Sequence, residues 1–279
     1  MRLRFFLFGM ALLAGPAALP MVPAAAATGQ SSSEATSESD RINYWFDKKY
    51  EEELAFSPIE QTMIGRKTDY GLIDDFSDEG ADRKLAWLRN AVAEMKRDFD
   101  YEQLSQEATT SYDIWIYNLA QAEAELPFRT HRYVLHQHNG LQSFFPTFLI
   151  NTHKVETEAD MVGFIQRLSG VATALDQLLV RAKTNAAAGT RPPRFAYEGV
   201  IDQSRKIISG APFGDGPPSA IWTATEEKLQ VLVDKKVIDD ARADKLRGEA
   251  RVALIEAFAP AHQRIISRFE AGREIGRGS

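Results

Sequence analysis

The stretch ADMVGFIQRLSGVATALDQLLVRA, residues 159–182, decides the fold class. Thr157 and Asp160 stand at its start with the spacing of a capping box. Its apolar side chains recur at alternating steps of three and four, which places them on one face of an α-helix. They are Met161, Ile165, Leu168, Ala172, Leu175, Leu179 and Ala182. We therefore predict a long amphipathic helix that packs against other helices.

The same spacing recurs along most of the chain. It predicts further helices at residues 40–56, 84–99, 111–126 and 239–258, with a kink or restart at Pro260. Two more helices are predicted at 195–209, after the helix entrance Pro192-Pro193, and at 225–233. No run of alternating β-branched residues is long enough to predict a strand, and only 134–138 and 148–152 are candidates for short extended pieces. The predicted fold class is all-α, a multi-helix array.

Two segments interrupt this pattern. Residues 210–218, GAPFGDGPP, contain three glycines and three prolines, so we predict a loop there. Residues 127–151 are predicted to form a long irregular segment, which is also the part of the chain richest in aromatic residues and histidine. Long non-helical segments inside helical domains are often functional, so we expect a binding surface in this segment.

The first forty residues have the composition of a targeting segment and a tether. Arg2 and Arg4, a short apolar run, and alanines at 24–27 follow the order of a secretory signal, predicted over residues 1–27. Residues 28–40 are predicted to be a flexible linker, and residues 41–279 a helical domain. The expected location is the periplasm or the medium, with no membrane association after signal cleavage.

Composition excludes several classes of function. The chain has no cysteine, which excludes disulfides, thiol catalysis and thiolate metal sites. Its net charge is −6, and basic and acidic residues are interspersed. A nucleic-acid partner is therefore not expected, because nucleic-acid binding needs a clustered basic face.

A set of short motifs in a fixed order resembles the bacterial domain-of-unknown-function family 885 (DUF885), over residues 41–270. The motifs begin within FSPIEQTMIGRKTDYGLIDDFS, residues 56–77. They are Ser57-Pro58, Gly65, Asp75-Phe76-Ser77, Tyr112-Asp113, the segment 136–148, Pro192-Pro193-Arg194 and the helical stretch 258–269. The resemblance is to the N-terminal half of that family. It implies a zinc-peptidase-like parent, whose distal half carries an H-E-A-x-P-G-H-H motif that binds zinc and activates water.

The sequence departs from that family at its catalytic motif. None of the five histidines is followed by glutamate, so no catalytic residue is assigned here, and no cofactor is expected in this chain. The resemblance therefore implies the substrate-cleft half of an exported metallopeptidase-like protein, inactive alone, whose partners would be a peptide substrate and a missing C-terminal catalytic half. Two alternatives stay open: a stand-alone periplasmic peptide- or protein-binding module, and a truncated gene product without an independent function.

The candidate substrate-binding residues lie together in the irregular segment: His136, His138, Asn139, Gly140 and Gln142. The stretch 139–142 offers backbone and amide groups that suit an extended peptide, although Asn-Gly is also a strong turn former. His136 and His138 would point the same way on an extended backbone, and His153 would then complete a three-histidine metal site. Ordinary hydrogen-bonded histidines are the favoured interpretation, so no metal ligand is assigned.

Overall fold

The computed structural model describes residues 37–275. Within this range the chain is helical, and its one β-type pairing is a single bridge between Ala211 and Pro218. The α-helices in chain order are α1 Glu38–Leu54, α2 Pro58–Met63, α3 Asp78–Asp98, α4 Gln106–Glu125, α5 Leu141–Asn151, α6 Glu158–Ala187, α7 Arg194–Ile207, α8 Ala220–Asp234, α9 Asp240–Ala253 and α10 Ala259–Ile275. The all-α prediction is confirmed. The predicted signal peptide and most of the linker lie outside the described residues.

The helix ends follow local chemistry. α1 begins three residues before the predicted domain start, because Ser37 and Asp40 form a capping box. α6 begins at the predicted capping box of Thr157 and Asp160 and continues to Ala187. The wide π-helical turn Leu254–Phe258 joins α9 to α10, just before Pro260. A proline has no N–H to donate and crowds the carbonyl one turn back, so a locally widened helix suits this position.

The irregular segment is shorter than predicted. Residues 141–151 form α5, although Pro146 lies inside it. The short extended piece proposed at 148–152 is wrong, because most of it belongs to this helix. Phe145, Phe148 and Leu149 are buried, and their packing outweighs the local signals of Pro146 and the preceding Asn-Gly turn. What remains irregular is residues 129–140, after a 3₁₀ turn at Leu126–Phe128.

Two groups of buried side chains hold the helices together. The smaller lies between α1, α3 and α4, where Trp45 and Met95 are buried and Trp45 packs against Trp115 with ring centroids 5.2 Å apart. The larger is built from α5–α10 and includes Ile59 of α2. α6 contributes Met161, Leu168 and Leu175 to it, as the periodicity predicts. The irregular segment 129–140 contributes Leu135 to the same core, which fixes one point of that segment.

A fully buried arginine joins the segment after α1 to α6. Arg167 donates from Nε to the Leu72 carbonyl (2.8 Å) and from Nη2 to the Pro58 carbonyl (3.0 Å) and Thr62 Oγ1 (2.7 Å). Its Nη1 lies 3.0 Å from Nδ1 of His153. Burial lowers the pKa of Arg167 to about 10, because a charge away from water is disfavoured. The four hydrogen bonds offset that cost and fix residues 58–72 on α6.

Candidate functional site

The irregular segment 129–140 is held by side-chain amides from three different helices. We call it the pinned loop. Asn185 of α6 donates to the Arg132 carbonyl (2.8 Å), and Gln203 of α7 donates to the Gln137 carbonyl (2.7 Å). Gln142 of α5 donates to the His136 carbonyl, also at 2.8 Å. Each amide satisfies a backbone oxygen that regular secondary structure would otherwise pair. The loop backbone is therefore ordered without being helical.

The predicted binding residues meet in one turn at the end of this loop. Asn139 donates its backbone N–H toward His136 Nδ1 at 3.4 Å. Gln142 is fully buried and donates both to the His136 carbonyl and to Gln203 Oε1 (2.9 Å). A Cβ on Gly140 would lie 2.2 Å from the His136 carbonyl oxygen, so the close approach requires glycine here.

The structure divides the five residues into two groups. Gly140 and Gln142 are buried and build the turn, and His136 is partly buried at its base. His138 and Asn139 are exposed, so their side chains are open to a ligand. Further back in the same loop His131 is exposed, and Tyr133 is 50% exposed. The pinned loop thus presents polar and aromatic side chains from a fixed backbone.

His153 does not join the other histidines. Its ring is fully buried, with Nε2 3.0 Å from the Asp160 carbonyl and Nδ1 3.0 Å from Arg167. Arginine only donates and a carbonyl only accepts, so the proton sits on Nε2 and both ring nitrogens are occupied. Burial lowers the pKa of His153 to about 4, which keeps the ring neutral. In residues 37–275, no group of three or more histidine or carboxylate side chains is placed to hold a metal ion.

A small cavity lies beside the pinned loop. It has a volume of about 30 Å³ and is lined by residues 132–135 of the loop, Asn185 of α6, Tyr197 of α7 and the end of α10. α10 contributes Arg268 and Gly272. Gly272 allows the helix to approach α7 closely, because a Cβ there would lie 2.7 Å from the Tyr197 ring. The loop and the last described helix therefore meet around one cavity.

Sequence reasoning missed Arg132, Tyr197 and Arg268 as neighbours. They belong to the loop, α7 and α10; Arg132 and Tyr197 lie in no motif, and Arg268 lies in the stretch 258–269 without having been singled out there. Their meeting follows from the packing of α7 against α10, where Tyr197 and Phe269 have ring centroids 5.2 Å apart. The sequence predicted a helix after Pro192-Pro193 and another after Pro260, but it did not indicate that the two would pack together or which polar side chains would face the cavity.

Comparisons with known proteins place this architecture in a family. The family model of DUF885, described as a bacterial protein of unknown function, matches residues 58–274. The chain belongs to this family. The match covers α2–α10, the Arg167 hydrogen bonds and the pinned loop. No curated protein matches this DUF885 chain.

A solved structure shares the fold. It is described as a putative lipoprotein from Colwellia psychrerythraea, and it matches with a TM-score of 0.70 at 14% sequence identity. The match covers 87% of this DUF885 chain but 43% of the Colwellia protein, so this chain spans less than half of that protein's length. Within residues 37–275, no helix combines the length and apolar character needed to cross a bilayer.

Proposed function

We propose that this chain is the substrate-cleft half of an exported, zinc-peptidase-like protein, and that the pinned loop contacts an extended peptide substrate. The structure of the pinned loop is the main support for this proposal. Side-chain amides from α5, α6 and α7 fix its backbone, and the side chains of His138 and Asn139 remain exposed. A preformed surface of this kind binds with little loss of conformational entropy. The chain's own residues bind and orient the peptide.

The position of the loop supports this role. Its residues 132–135 share a cavity with Arg268 and Gly272, which lie in the last turns of α10. A catalytic half that continued from α10 would begin beside the loop. A peptide on the loop would then lie between the two halves, and binding sites commonly form at such boundaries. The zinc and its ligands, with the activated water, would belong to that second half.

Exposed apolar side chains on and just after α4 support a packing surface for the catalytic half. Ile114 and Tyr117, one helical turn apart, are 49% and 59% exposed. Phe128, just beyond the helix, is 60% exposed. We expect the isolated chain to bind an apolar dye in its native state, because neighbouring exposed apolar groups mark interaction surfaces. A sharp two-state melt without dye binding would favour the stand-alone binding module instead.

Peptide binding and cleavage by the purified chain test the proposal. Fluorescently labelled, unstructured peptides should bind in an anisotropy titration, and no cleavage should follow when Zn²⁺ is added. His138→Ala and Asn139→Ala should each weaken binding about two- to tenfold, the effect of one lost hydrogen bond. Asn90→Ala, which removes an exposed asparagine from α3, is the matched control and should bind normally.

Two results would contradict the proposal. Zinc-dependent cleavage by the chain alone would mean that it is a catalytic unit rather than a cleft half. Unchanged binding in both His138→Ala and Asn139→Ala would mean that the pinned loop is not the contact surface.

A further inference from the structure

Apolar side chains form much of the wall of the cavity beside the pinned loop. They come from the loop, from α6, from the segment before α7 and from α10, and they are Val134, Leu135, Ala182, Ala186, Pro192 and Phe269. A polar group placed against such a wall would lose its hydrogen bonds to water without replacing them. The wall therefore favours an apolar occupant.

Two polar residues of the wall are already engaged within the chain. Asn185 donates from its side chain to the Arg132 carbonyl (2.8 Å), and its backbone carbonyl accepts from the N–H of Thr190 (2.9 Å). The Arg132 guanidinium pairs with Glu125 at 2.7 Å. What the cavity chiefly offers a ligand is therefore the burial of apolar surface.

The cavity reaches the protein surface at the pinned loop. Tyr133, which lines it, is 50% exposed, and the side chain of Arg132, which also lines it, is 66% exposed. Leu135, Ala186 and Phe269 line the same cavity and are buried. A small group can therefore enter from solvent past Tyr133 and Arg132 and leave water inside.

The volume of the cavity limits what can enter. It is about 30 Å³, room for about two water-sized groups and hence for one or two methyl groups. The side chain of alanine is one methyl group and that of valine carries two, so both fit. Leucine and phenylalanine side chains are larger and would have to displace the wall, which is costly in a packed interior.

The exposed turn of the pinned loop lies within reach of this cavity. Leu135 in the wall and His138 in the turn are three residues apart, and a chain spans at most about 3.6 Å per residue, so their Cα atoms lie within about 11 Å of each other. An extended peptide rises about 3.3 Å per residue. A peptide that contacts His138 can therefore place a side chain in the cavity about three or four residues away.

We propose that this cavity is a subsite for a small aliphatic side chain, that of alanine or valine, from the peptide that the pinned loop binds. The inference rests on the proposed function and adds a substrate class to it. The class is extended peptides that carry alanine or valine about three or four residues from the position that contacts His138. Selection among peptides would then reside in this half of the protein rather than in the catalytic half.

A series of guest residues in one peptide tests the inference. Labelled octapeptides of glycine and serine carry glycine, alanine, valine, leucine or phenylalanine at one central position, and their binding to the purified chain is followed by fluorescence anisotropy. Each buried CH₂ or CH₃ group should tighten binding about fourfold, so affinity should rise from glycine to alanine to valine. It should fall again for leucine and phenylalanine. An affinity that rises steadily through phenylalanine would indicate a general apolar surface and would overturn the subsite.

Filling the cavity provides the matched test. Ala186→Val and Ala182→Val each add two methyl groups to the wall, so they should remove the preference for alanine and valine while the glycine peptide still binds. Ala187→Val adds the same groups at an exposed position of α6 and should keep the preference. Retained binding of the glycine peptide shows that a variant is folded. A preference that survives in both cavity variants would contradict the inference.

A probe without a peptide separates this inference from the proposed function. 2-Propanol, which carries two methyl groups as valine does, should shift the methyl NMR resonances of Leu135 and leave those of Val180, exposed on α6, in place. No shift at Leu135 would refute the cavity as an apolar site. Equal affinity for all five peptides, each weakened by His138→Ala, would refute the subsite and leave the proposed function intact. A shift at Leu135 without binding of any peptide would refute the proposed function, and with it the peptide as the occupant of the cavity.

Discussion

Replacing Arg167 by lysine tests whether the geometry of the guanidinium, rather than its charge, holds residues 58–72 on α6. Arg167 reaches four acceptors in different directions: the carbonyls of Leu72 and Pro58, Thr62 Oγ1 and His153 Nδ1. A lysine ammonium has three donors at one point and cannot span all four. At least one buried acceptor would lose its partner, and the cation would remain buried.

The magnitude follows from two opposing contributions. Hydrogen bonds from a charged group stabilise by about 1.5–3 kcal/mol each, so four give roughly 6–12 kcal/mol before non-additivity. Burial of the cation opposes this, since lowering the Arg167 pKa to about 10 from its ordinary 12.5 corresponds to about 3 kcal/mol. Arg167→Met removes both contributions and leaves buried acceptors unpaired, so it should lower the free energy of unfolding by about 3–5 kcal/mol, the low end of the difference between them. Arg167→Lys should cost at least as much, because it keeps the burial cost.

Urea denaturation of both variants measures these losses, with Arg251→Lys on the exposed face of α9 as the control. The control should change the free energy of unfolding by less than about 0.5 kcal/mol. Hydrogen exchange should also accelerate in residues 58–72, whose attachment depends on Arg167. If Arg167→Lys unfolds within about 1 kcal/mol of the wild type and keeps the exchange protection of 58–72, the geometric reasoning is refuted.

Three further predictions concern pH and glycine positions. Burial lowers the pKa of His262 to about 4 in the folded chain, from an ordinary value near 6.5. Between pH 6.5 and 4 the unfolded chain therefore binds a proton at His262 that the folded chain does not bind. The free energy of unfolding should fall as pH falls through this window. From pH 7 to 5 the wild type should lose about 2 kcal/mol more than His262→Leu in urea denaturation, and parallel losses would contradict this. A Cβ at Gly248 would meet nothing within 4 Å, so Gly248→Ala should raise the free energy of unfolding in urea by about 0.5–1 kcal/mol. Gly272→Ala should lower the free energy of unfolding, because its Cβ would displace the Tyr197 ring. Equal effects of the two substitutions would refute the packing argument. Gly140→Ala should destabilise the chain and speed proteolysis within 129–140, and unchanged cleavage would show that the turn tolerates a Cβ.

The helices were predictable wherever apolar spacing was regular. α6 was found from its sequence because its burial and its capping box are both local properties. α5 was missed because Pro146 and the Asn-Gly turn before it are local breakers, and the burial of Phe145 and Phe148 that overrides them comes from other helices. Apolar periodicity therefore predicted helices whose signals are local, such as α6. It failed for α5, because that helix forms through packing against other helices.

The candidate site was predictable only in part. Its place in the irregular segment followed from composition, and the turn at 139–142 followed from Asn-Gly. The role of Gln142 as an internal donor was not predictable, because its partner Gln203 is 61 residues away. Arg167 lay beside the inward face of α6 in sequence, but nothing local indicated that backbone carbonyls would take the place of a carboxylate partner.

The hydrogen bonds of Arg167 also bear on the order of folding. Along the chain, Arg167 is 95 residues from Leu72 and 109 residues from Pro58. Contacts across such separations form only after the entropy of closing a long loop has been overcome. Residues 58–72 cannot form their hydrogen bonds with Arg167 until α6 has been synthesised and has become helical. We therefore expect this N-terminal segment to dock late during synthesis, and the apolar surface that it covers on α6 to be what a chaperone would meet on the growing chain.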